Sequence, residues 1–481
     1  MNTACMMTEP NTSVPLCVDL DGTLVKTDTF VQALILLIRN RPAALFSFHR
    51  WMSGGPAAFK QRVAQEVEID PAALPYHTGL LTFLQNERAT GRELILTTAS
   101  DMVPARAVAA QLGIFSDVMA SDGKTNLKAG CKRTALAARF GEKNFDYAGN
   151  SGADIPVWNS AREIIAVNPD SSARRFLKNK PARMFEDRPP AFKCWIKALR
   201  VRQWIKNILV FVPMILAHRL TEPALYINAV LAFFAFSCMA SAIYVCNDLF
   251  DLNSDQHHPR KKFRPFAAGN ISANGAVISF FIMLIASFAV AGFLPAEFSR
   301  VLILYLILNA CYSWRLKQIA LLDVLLLAFL YVLRIIAGTA AYGVETSPWL
   351  IAFSMFLFFS LALIKRYAEL RESNPEKVKN RGRGYRAADL PLLAAFGAGS
   401  GTVAVLVLAL YINSAKVVQF YPSPAILWLL CPVFFYWVAR LWLLAGRGEI
   451  PDDPLEFSVR DVQTWIIGAF SAVILILGSI A

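Results

Sequence analysis

Two groups of aspartates are the residues of this chain best spaced to do chemistry. The first stands in Val18-Asp19-Leu20-Asp21-Gly22-Thr23-Leu24, directly behind an apolar run. Two carboxylates separated by one residue suit phosphoryl transfer. One attacks phosphorus and carries an aspartyl-phosphate, while the other protonates the leaving oxygen and later activates water. Anions this close raise each other's pKa unless a divalent cation lies between them, which implies Mg²⁺. The plainer alternative is an Asx turn that ends a strand. The second group is Asn247-Asp248-Leu249-Phe250-Asp251-Leu252-Asn253-Ser254-Asp255, with acids three and four residues apart. On a helix that spacing sets Asp248, Asp251 and Asp255 on one face. They would repel one another beside hydrocarbon, and one or two Mg²⁺ ions bridging to a diphosphate would relieve both penalties. A merely solvated helix end does not account for the basic run that follows, from His258 through Lys261 to Arg264.

The elements that must position these groups differ sharply along the chain. Up to about residue 190, short apolar runs alternate with helical segments, and 16–20, 93–97, 145–149 and 164–168 read as buried strands of an α/β domain. Asp19 and Asp21 then fall at a strand's C-terminal edge, where open α/β sheets bind ligands. Residues 1–13 lack a basic stretch followed by an apolar one, so no secretory signal is expected and the first domain stays in the cytosol. A basic linker is expected over 171–192. Beyond it, runs near 195–217, 224–246, 273–294, 298–314, 321–342, 348–364, 389–412, 424–445 and 462–480 are each near the length that crosses a bilayer, giving about nine helices. The first is the least regular, because Lys197, Arg200, Arg202 and Lys206 crowd its start.

Composition agrees with this division and narrows the function. The chain has 481 residues, 56% of them apolar and 17% charged, which excludes both disorder and a simple cytosolic enzyme. Its net charge of +13 fits anionic lipid or phosphorylated substrates at a membrane face better than nucleic acid, which is not expected as a partner. The eight cysteines form no CxxC pair and imply neither a disulfide framework nor a zinc site. Basic residues gather in the connections after the even-numbered spans, at Arg260, Lys261, Lys262 and Arg264 and again at Lys365, Arg366, Arg371, Lys377, Lys379, Arg381, Arg383 and Arg386. The odd-numbered connections hold isolated charges such as Arg219, Arg300, Glu345 and Lys416. By the positive-inside rule the even connections and the N-terminal domain face the cytoplasm of the inner membrane.

Over residues 14–170 the motifs resemble the haloacid dehalogenase-like phosphatase superfamily. The resemblance implies a Rossmannoid α/β fold with Asp19 as nucleophile, Asp21 as acid/base and Mg²⁺ as cofactor. It also implies a phosphate-binding hydroxyl at Thr98, with Thr97 close behind, and a phosphoryl-stabilising lysine at Lys132. The last motif, usually Gly-Asp-x-x-x-Asp, reads Gly149-Asn150-Ser151-Gly152-Ala153-Asp154. Asn150 can ligate Mg²⁺ through its carbonyl oxygen but brings no charge. Residues 29–91 would form a helical cap that selects the substrate.

From about residue 193 to 481 the chain resembles the UbiA superfamily of intramembrane prenyltransferases, whose first aspartate motif is Asn-Asp-x-x-Asp-x-x-x-Asp. That resemblance implies an all-α domain of about nine transmembrane helices and a metal site on Asp248, Asp251 and Asp255, with Asn247 beside the substrate. The second motif departs from the common pattern: the segment from Tyr312 through Arg315 and Lys317 to Asp323 holds one aspartate and no acid four residues later. With His258-Pro-x-Lys261-x-x-Arg264-Pro and Lys365-Arg366-Tyr367-Ala-Glu369, this departure resembles the polyprenyl-phosphate phosphoribosyltransferase branch. A phosphoribosyl diphosphate donor and a polyprenyl phosphate acceptor are then implied. Both need cations, for which Lys206, His258, Lys261, Arg264, Arg315, Lys317, Arg334, Lys365 and Arg366 are candidates. Asp323 and Arg334, eleven residues apart, share a helical face, and pairing for stability alone is the alternative to a substrate role.

Joined, the two halves suggest that the soluble domain removes the 5-phosphate from the phosphoribosyl lipid. The alternatives are a soluble domain acting on another phosphate or serving only as regulator, and a membrane domain that transfers a prenyl group from prenyl diphosphate to an aromatic acceptor. A transporter or lipid scaffold is a third class. Gly397, Gly399 and Gly401 read as close helix packing rather than a nucleotide loop.

Overall fold

Leu16–Val18 forms β1, fully buried on both faces, as expected of a central strand in a parallel sheet covered by helices on both sides. The computed structural model describes residues 14–216, 222–371, 384–415, 417, 421–450 and 453–480. Of the charges named above, Arg219, Lys377, Lys379, Arg381, Arg383 and Lys416 lie outside the described residues. The chain divides into two compact units, Met1–Arg200 with Tyr244–Phe280, and Val201–Ile243 with Phe281–Ala481.

In the first unit, β1 is joined by β2 (Leu94–Asp101), β3 (Asp117–Ser121), β4 (Asp146–Gly149), β5 (Ile164–Val167) and β6 (Arg183–Phe185) in the order β3-β2-β1-β4-β5-β6. Every pairing is parallel; Leu16 faces Leu94 on one side and Asp146 on the other. The order reverses between β1 and β4, and the loop after β1 opens at that switch point. This is a doubly wound α/β layout, as expected. β3 and β6 escape the hydropathy pattern because they sit towards the sheet's edges and β6 is largely exposed. The stretch 171–192 is therefore not a plain linker: it carries helix Ser171–Leu177, capped by Asp170, and the sixth strand.

Between β1 and β2 lie helices Thr29–Asn40, Phe48–Met52, Gly55–Glu66 and Thr78–Ala89. The first three are tied together by edge-on packing of Phe59 against Phe30 and Phe48. Asp28 starts helix Thr29–Asn40 by accepting from Val31 N at 3.0 Å. The remainder of this unit is helix Ala191–Ala198 and residues 244–280, where Cys194, Ala198, Leu249, Leu252 and Phe266 share a core with Ile35.

The second unit is helical. Among the described residues of the whole chain, eight helices are long and apolar enough to cross a membrane, close to the nine expected. The run at 195–217 differs: it breaks into Ala191–Ala198, a tightly wound segment Val201–Phe211 and Val212–Leu216. The break falls at Arg200, whose φ is +50°, among the charges that crowd this run. Phe236, Met239, Phe298, Leu302, Leu330 and Leu333 form the unit's principal core. Phe281, Ile282 and Ile285 remain exposed, as lipid-facing positions do. Gly397 and Gly401 let helix Leu390–Ile412 close onto Trp442 and Val438, whereas Gly399 faces open space.

Candidate active sites

Asp19 follows β1 directly, with its backbone N–H donating to Ala148 O on β4 at 2.9 Å. Its carboxylate is buried and accepts from Lys132 Nζ at 2.7 Å, with Thr23 Oγ1 at 3.5 Å. Burial pushes Asp19 up to about 7 despite the Lys132 charge, with Asp154 and Asp21 adding to the rise. Lys132 also donates to Tyr147 Oη at 2.8 Å and lies 3.9 Å from Asp154. Although burial opposes its charge, the neighbouring Asp19 and Asp154 carboxylates hold its pKa above the ordinary lysine value. Asp21 accepts from Thr29 N at 2.8 Å and from Ser100 Oγ at 2.5 Å. The two aspartates thus have different partners: a buried ammonium for Asp19 and neutral donors for Asp21, an asymmetry that suits a nucleophile beside an acid/base.

Thr98 is fully buried, and its hydroxyl accepts from Ser100 N at 3.0 Å. Thr97, also buried, lies on the alternate face beside the Cys17 thiol, which burial pushes up to about 12. Cys131, the residue before Lys132, is exposed. Asn150 reaches the turn after β1, where its amide fills the space that a side chain at Gly22 (φ +75°) would need. Asp154 is committed elsewhere: it accepts from Asn150 N, Ser151 N and Tyr147 Oη at 3.0, 3.0 and 2.8 Å. Among the described residues no three His, Cys, Asp or Glu side chains cluster as a metal site. Asp19, Asp21 and Asn150 fit Mg²⁺ in the lighter manner of a cation that takes one or two carboxylates and completes its shell with water and substrate.

Sequence reasoning missed Ser100, Tyr147 and the role of Asp154. Ser100 could have been found from the two-residue period that sets it on the face of Thr98. A cavity of about 480 Å³ opens beside Asp21, lined by Thr29, Phe30, Lys60, Glu68, Ser100 and Asp101 among others. Lys60 donates to Ala99 O at 2.8 Å, and burial lowers its pKa.

The second aspartate group ends helix Pro223–Phe250 and enters helix Leu252–Gln256, with Asp251 N bonded to Asn247 O and Asp255 N to Asp251 O, both at 2.8 Å. Asp248 and Asp255 are buried and converge on Arg264 Nη1, at 3.1 and 2.7 Å. Arg200 Nη2 adds a second bond to Asp248 at 2.5 Å. Burial raises Asp255 above the usual carboxylate range, against the pull of Arg264 and Lys261. Two carboxylates aimed at one cationic nitrogen can also converge on a metal ion, so this pair fits Mg²⁺ with the balance of its shell from diphosphate. Asp251 stands apart, 3.3 Å from Arg39. His258 Nδ1 accepts from Arg260 N and Lys261 N at 3.2 and 3.3 Å, closing the turn, and Lys261 is exposed.

In the second unit Arg366 binds Asp323 at 2.6 Å and also Glu369. Tyr385 donates to Asp323 and accepts from Leu321 N at 2.8 Å, while Tyr312 lies against Arg366. Arg334 therefore does not pair with Asp323. It donates to Asn207 Oδ1 and Tyr305 Oη, both at 2.9 Å, and to Leu330 O, among the rings of Phe236, Tyr305 and Tyr331. Among the described residues no carboxylate lies within ion-pair distance of Arg334, Arg315 or Lys317. Lys206 and Lys365 share Asp453, at 2.5 and 3.9 Å, a partner that sequence reasoning missed. Burial works to raise Asp453, but the two lysines outweigh it and hold the carboxyl low.

Residues 207–454 match the model of the UbiA prenyltransferase family. A protein of Sinorhizobium fredii named "Uncharacterized protein y4nM" is 36% identical over 465 residues, 95% of this chain and 90% of that protein. The decaprenyl-phosphate phosphoribosyltransferase of Mycolicibacterium smegmatis is 28% identical over 275 residues, 55% of this chain and 86% of that enzyme. Among solved structures, a HAD family hydrolase of Salmonella enterica serovar Typhi aligns at 17% identity with a TM-score of 0.27, covering 36% of this chain and 68% of that one. The chain belongs to the UbiA prenyltransferase family, as a multi-pass membrane protein that also carries an α/β domain built on a six-stranded parallel sheet.

Proposed function

We propose that this chain is a Mg²⁺-dependent transferase of the inner membrane, moving 5-phosphoribosyl from phosphoribosyl diphosphate to polyprenyl phosphate at the cytoplasmic face. The observation that carries this reading is the surplus of cations in the second unit: among the described residues, buried Arg334 has no carboxylate within ion-pair distance inside its span, and neither do Arg315 and Lys317. A cation kept inside a membrane without a counter-charge is costly, and an anionic substrate group would supply one. Two phosphorylated substrates match that surplus better than a prenyl donor and a ring acceptor. Similarity to the phosphoribosyltransferase of M. smegmatis supports the same reading.

At the aspartate motif, bound Mg²⁺ would neutralise diphosphate as it leaves C1 of the ribose. Asp248 and Asp255 would hold the cation, with Asp251 as a third acid. Arg264 and Arg200 would move from the carboxylates to phosphate oxygens, and Lys261 lies near enough to add to that field. In the soluble domain Asp19 would attack the 5-phosphate, Asp21 would protonate the departing C5 oxygen, and water would then release inorganic phosphate from the aspartyl-phosphate. Lys132 would hold the phosphoryl charge with the buried Thr98 hydroxyl beside it, and Ser100 lines the adjoining cavity.

Radiolabelled phosphoribosyl diphosphate with polyprenyl phosphate, set against labelled prenyl diphosphate with 4-hydroxybenzoate, tests the transfer. Labelled lipid only in the second mixture would overturn it in favour of aromatic prenylation. For the soluble domain, mass spectrometry of lipid products from wild type and Asp19→Asn is decisive. The same 5-phosphorylated lipid from both removes that half of the proposal.

A further inference from the structure

The first aspartate motif makes direct contact with the soluble domain, and the contacts centre on one helix. Thr29–Asn40 begins at the phosphatase-like site, where Thr29 N donates to Asp21 at 2.8 Å and Thr29 Oγ1 lies 3.0 Å from Ser100 Oγ. Twelve residues later, about 18 Å along the axis, it ends at the other group of acids. There Arg39 Nη1 donates to Phe250 O at 2.6 Å, and Nη2 lies 3.3 Å from Asp251 Oδ1. Midway, Gln32 and Gln256, both buried, exchange amide hydrogen bonds at 2.7 and 3.4 Å. Ile35 packs into the core that contains Leu249 and Leu252. Two further contacts lie off the helix: His257 Nε2 with Asp70 Oδ2 at 2.7 Å, and Gly269 (φ +69°), which closes on the backbone of Lys26.

Asp248 and Asp255 are held by arginines of their own neighbourhood, Arg200 and Arg264, whereas Asp251 is held from the soluble domain. Phe250 O is among the last carbonyls of helix Pro223–Phe250, a group left without an intrahelical partner and attractive to a cation. Asp251 follows it at φ −89°, ψ 5°, where the backbone steps from one helix into the next. One guanidinium therefore fixes both the backbone of this step and the carboxylate that leaves it.

We propose that Arg39 is a positioning residue of the transferase's metal site, contributed by the soluble domain. By bonding Phe250 O it sets the direction in which Asp251 leaves the chain, and so how this outlying acid stands to a cation held by Asp248 and Asp255. This rests on the reading of Asp248, Asp251 and Asp255 as that site.

The test is Mn²⁺ binding to the full chain, followed by electron paramagnetic resonance in an Asp19→Asn background that weakens the soluble domain's own ion site. Arg39→Met is expected to weaken Mn²⁺ binding about fivefold, and Arg39→Lys, which can still reach the carbonyl, to recover at least half of that loss. Hydrolysis of p-nitrophenyl phosphate by Arg39→Met alone, with Asp19 intact, should stay within about twofold of wild type, because Arg39 lies at the far end of the helix from Asp21. Asp248→Ala in the same background separates the two readings. Weakening by Asp248→Ala but not by Arg39→Met sinks the positioning role and leaves the metal site standing. No weakening by Asp248→Ala removes the site and this proposal with it. Tighter binding in Arg39→Met makes Arg39 a competitor of the metal and also overturns the proposal.

Discussion

The two aspartate groups keep their carboxylates together by different means. In the α/β domain a single lysine does it: Lys132 Nζ reaches Asp19 just past β1 and Tyr147 on β4, with Asp154 just beyond. In the aspartate motif arginines do it, and Arg264 touches Asp248 and Asp255 at once. A lysine is a compact point charge that can stay beside a phosphoryl group during reaction. A guanidinium bridging two acids stands where a metal would stand, and must turn towards phosphate when one binds. Under the function proposed above, the first site would be built before its substrate comes, and the second would exchange partners on loading.

The largest expected effect separates the chemistries. Asp19→Asn should lower phosphate release by more than about 10³-fold while leaving lipid-linked ribose formation intact, measured as free phosphate and labelled lipid from the same sample. Asp248→Ala should do the reverse, lowering transfer roughly 10²–10³-fold with p-nitrophenyl phosphate hydrolysis unchanged. Equal losses in both assays from either variant would mean that the two sites are not separate.

A third comparison lies within the membrane unit. Arg366→Met strips the buried Asp323 of its ion partner and should destabilise the protein by about 3–5 kcal/mol in detergent, whereas Asp323→Asn with Arg366→Met should recover part of that. Thermal unfolding of the two variants measures it. Next in size is pH. Asp19 must be ionised to hold a divalent cation and is raised to about 7, so Mg²⁺ affinity of the soluble site should be flat above that pH and fall up to about tenfold per unit below it. The linkage runs opposite without metal: a raised carboxyl stabilises the fold below its unfolded value near 4 and loses that contribution as pH rises through about 7. Titrating Mg²⁺ protection against heat at several pH values in Asp248→Ala isolates the effect. Ser100→Ala should cost the least, roughly threefold to tenfold in phosphate release, since Thr29 N still holds Asp21.

Much of this arrangement could be read from residue order. The apolar run before Asp19 and the three-and-four spacing of Asp248, Asp251 and Asp255 are local patterns, and local patterns map directly onto strands and helix faces. Lys132 was singled out only by the superfamily resemblance, as a phosphoryl-stabilising lysine, and the fold brings it to Asp19. What could not be read are pairings that only the folded chain creates. Arg39 and Phe250 are separated by 211 positions, and nothing in the composition of helix Thr29–Asn40 marks its last turn as a partner of the aspartate motif. Asp323 shares a helical face with Arg334, which left their pairing as one alternative, but Arg366 reaches it from another helix. Asp453 sits in a short polar stretch with no repeating pattern, yet it gathers Lys206 and Lys365. The run at 195–217 was apolar enough to suggest a span, and the charges crowded at 197–206 mark where the helix breaks.

The cysteines beside the soluble site give it a built-in reporter. Cys17 is sealed within β1, where burial pushes its thiol up to about 12, while Cys131 is exposed one residue from Lys132. A water-soluble maleimide would therefore spare the strand and, in a chain with the exposed Cys311 replaced by serine, mark the start of the helix that carries Lys132. A dye placed there sits where ligand occupancy changes the surroundings, so arrival of a phosphorylated headgroup could be followed as a fluorescence change on the intact membrane protein, without engineering a new thiol into the sheet.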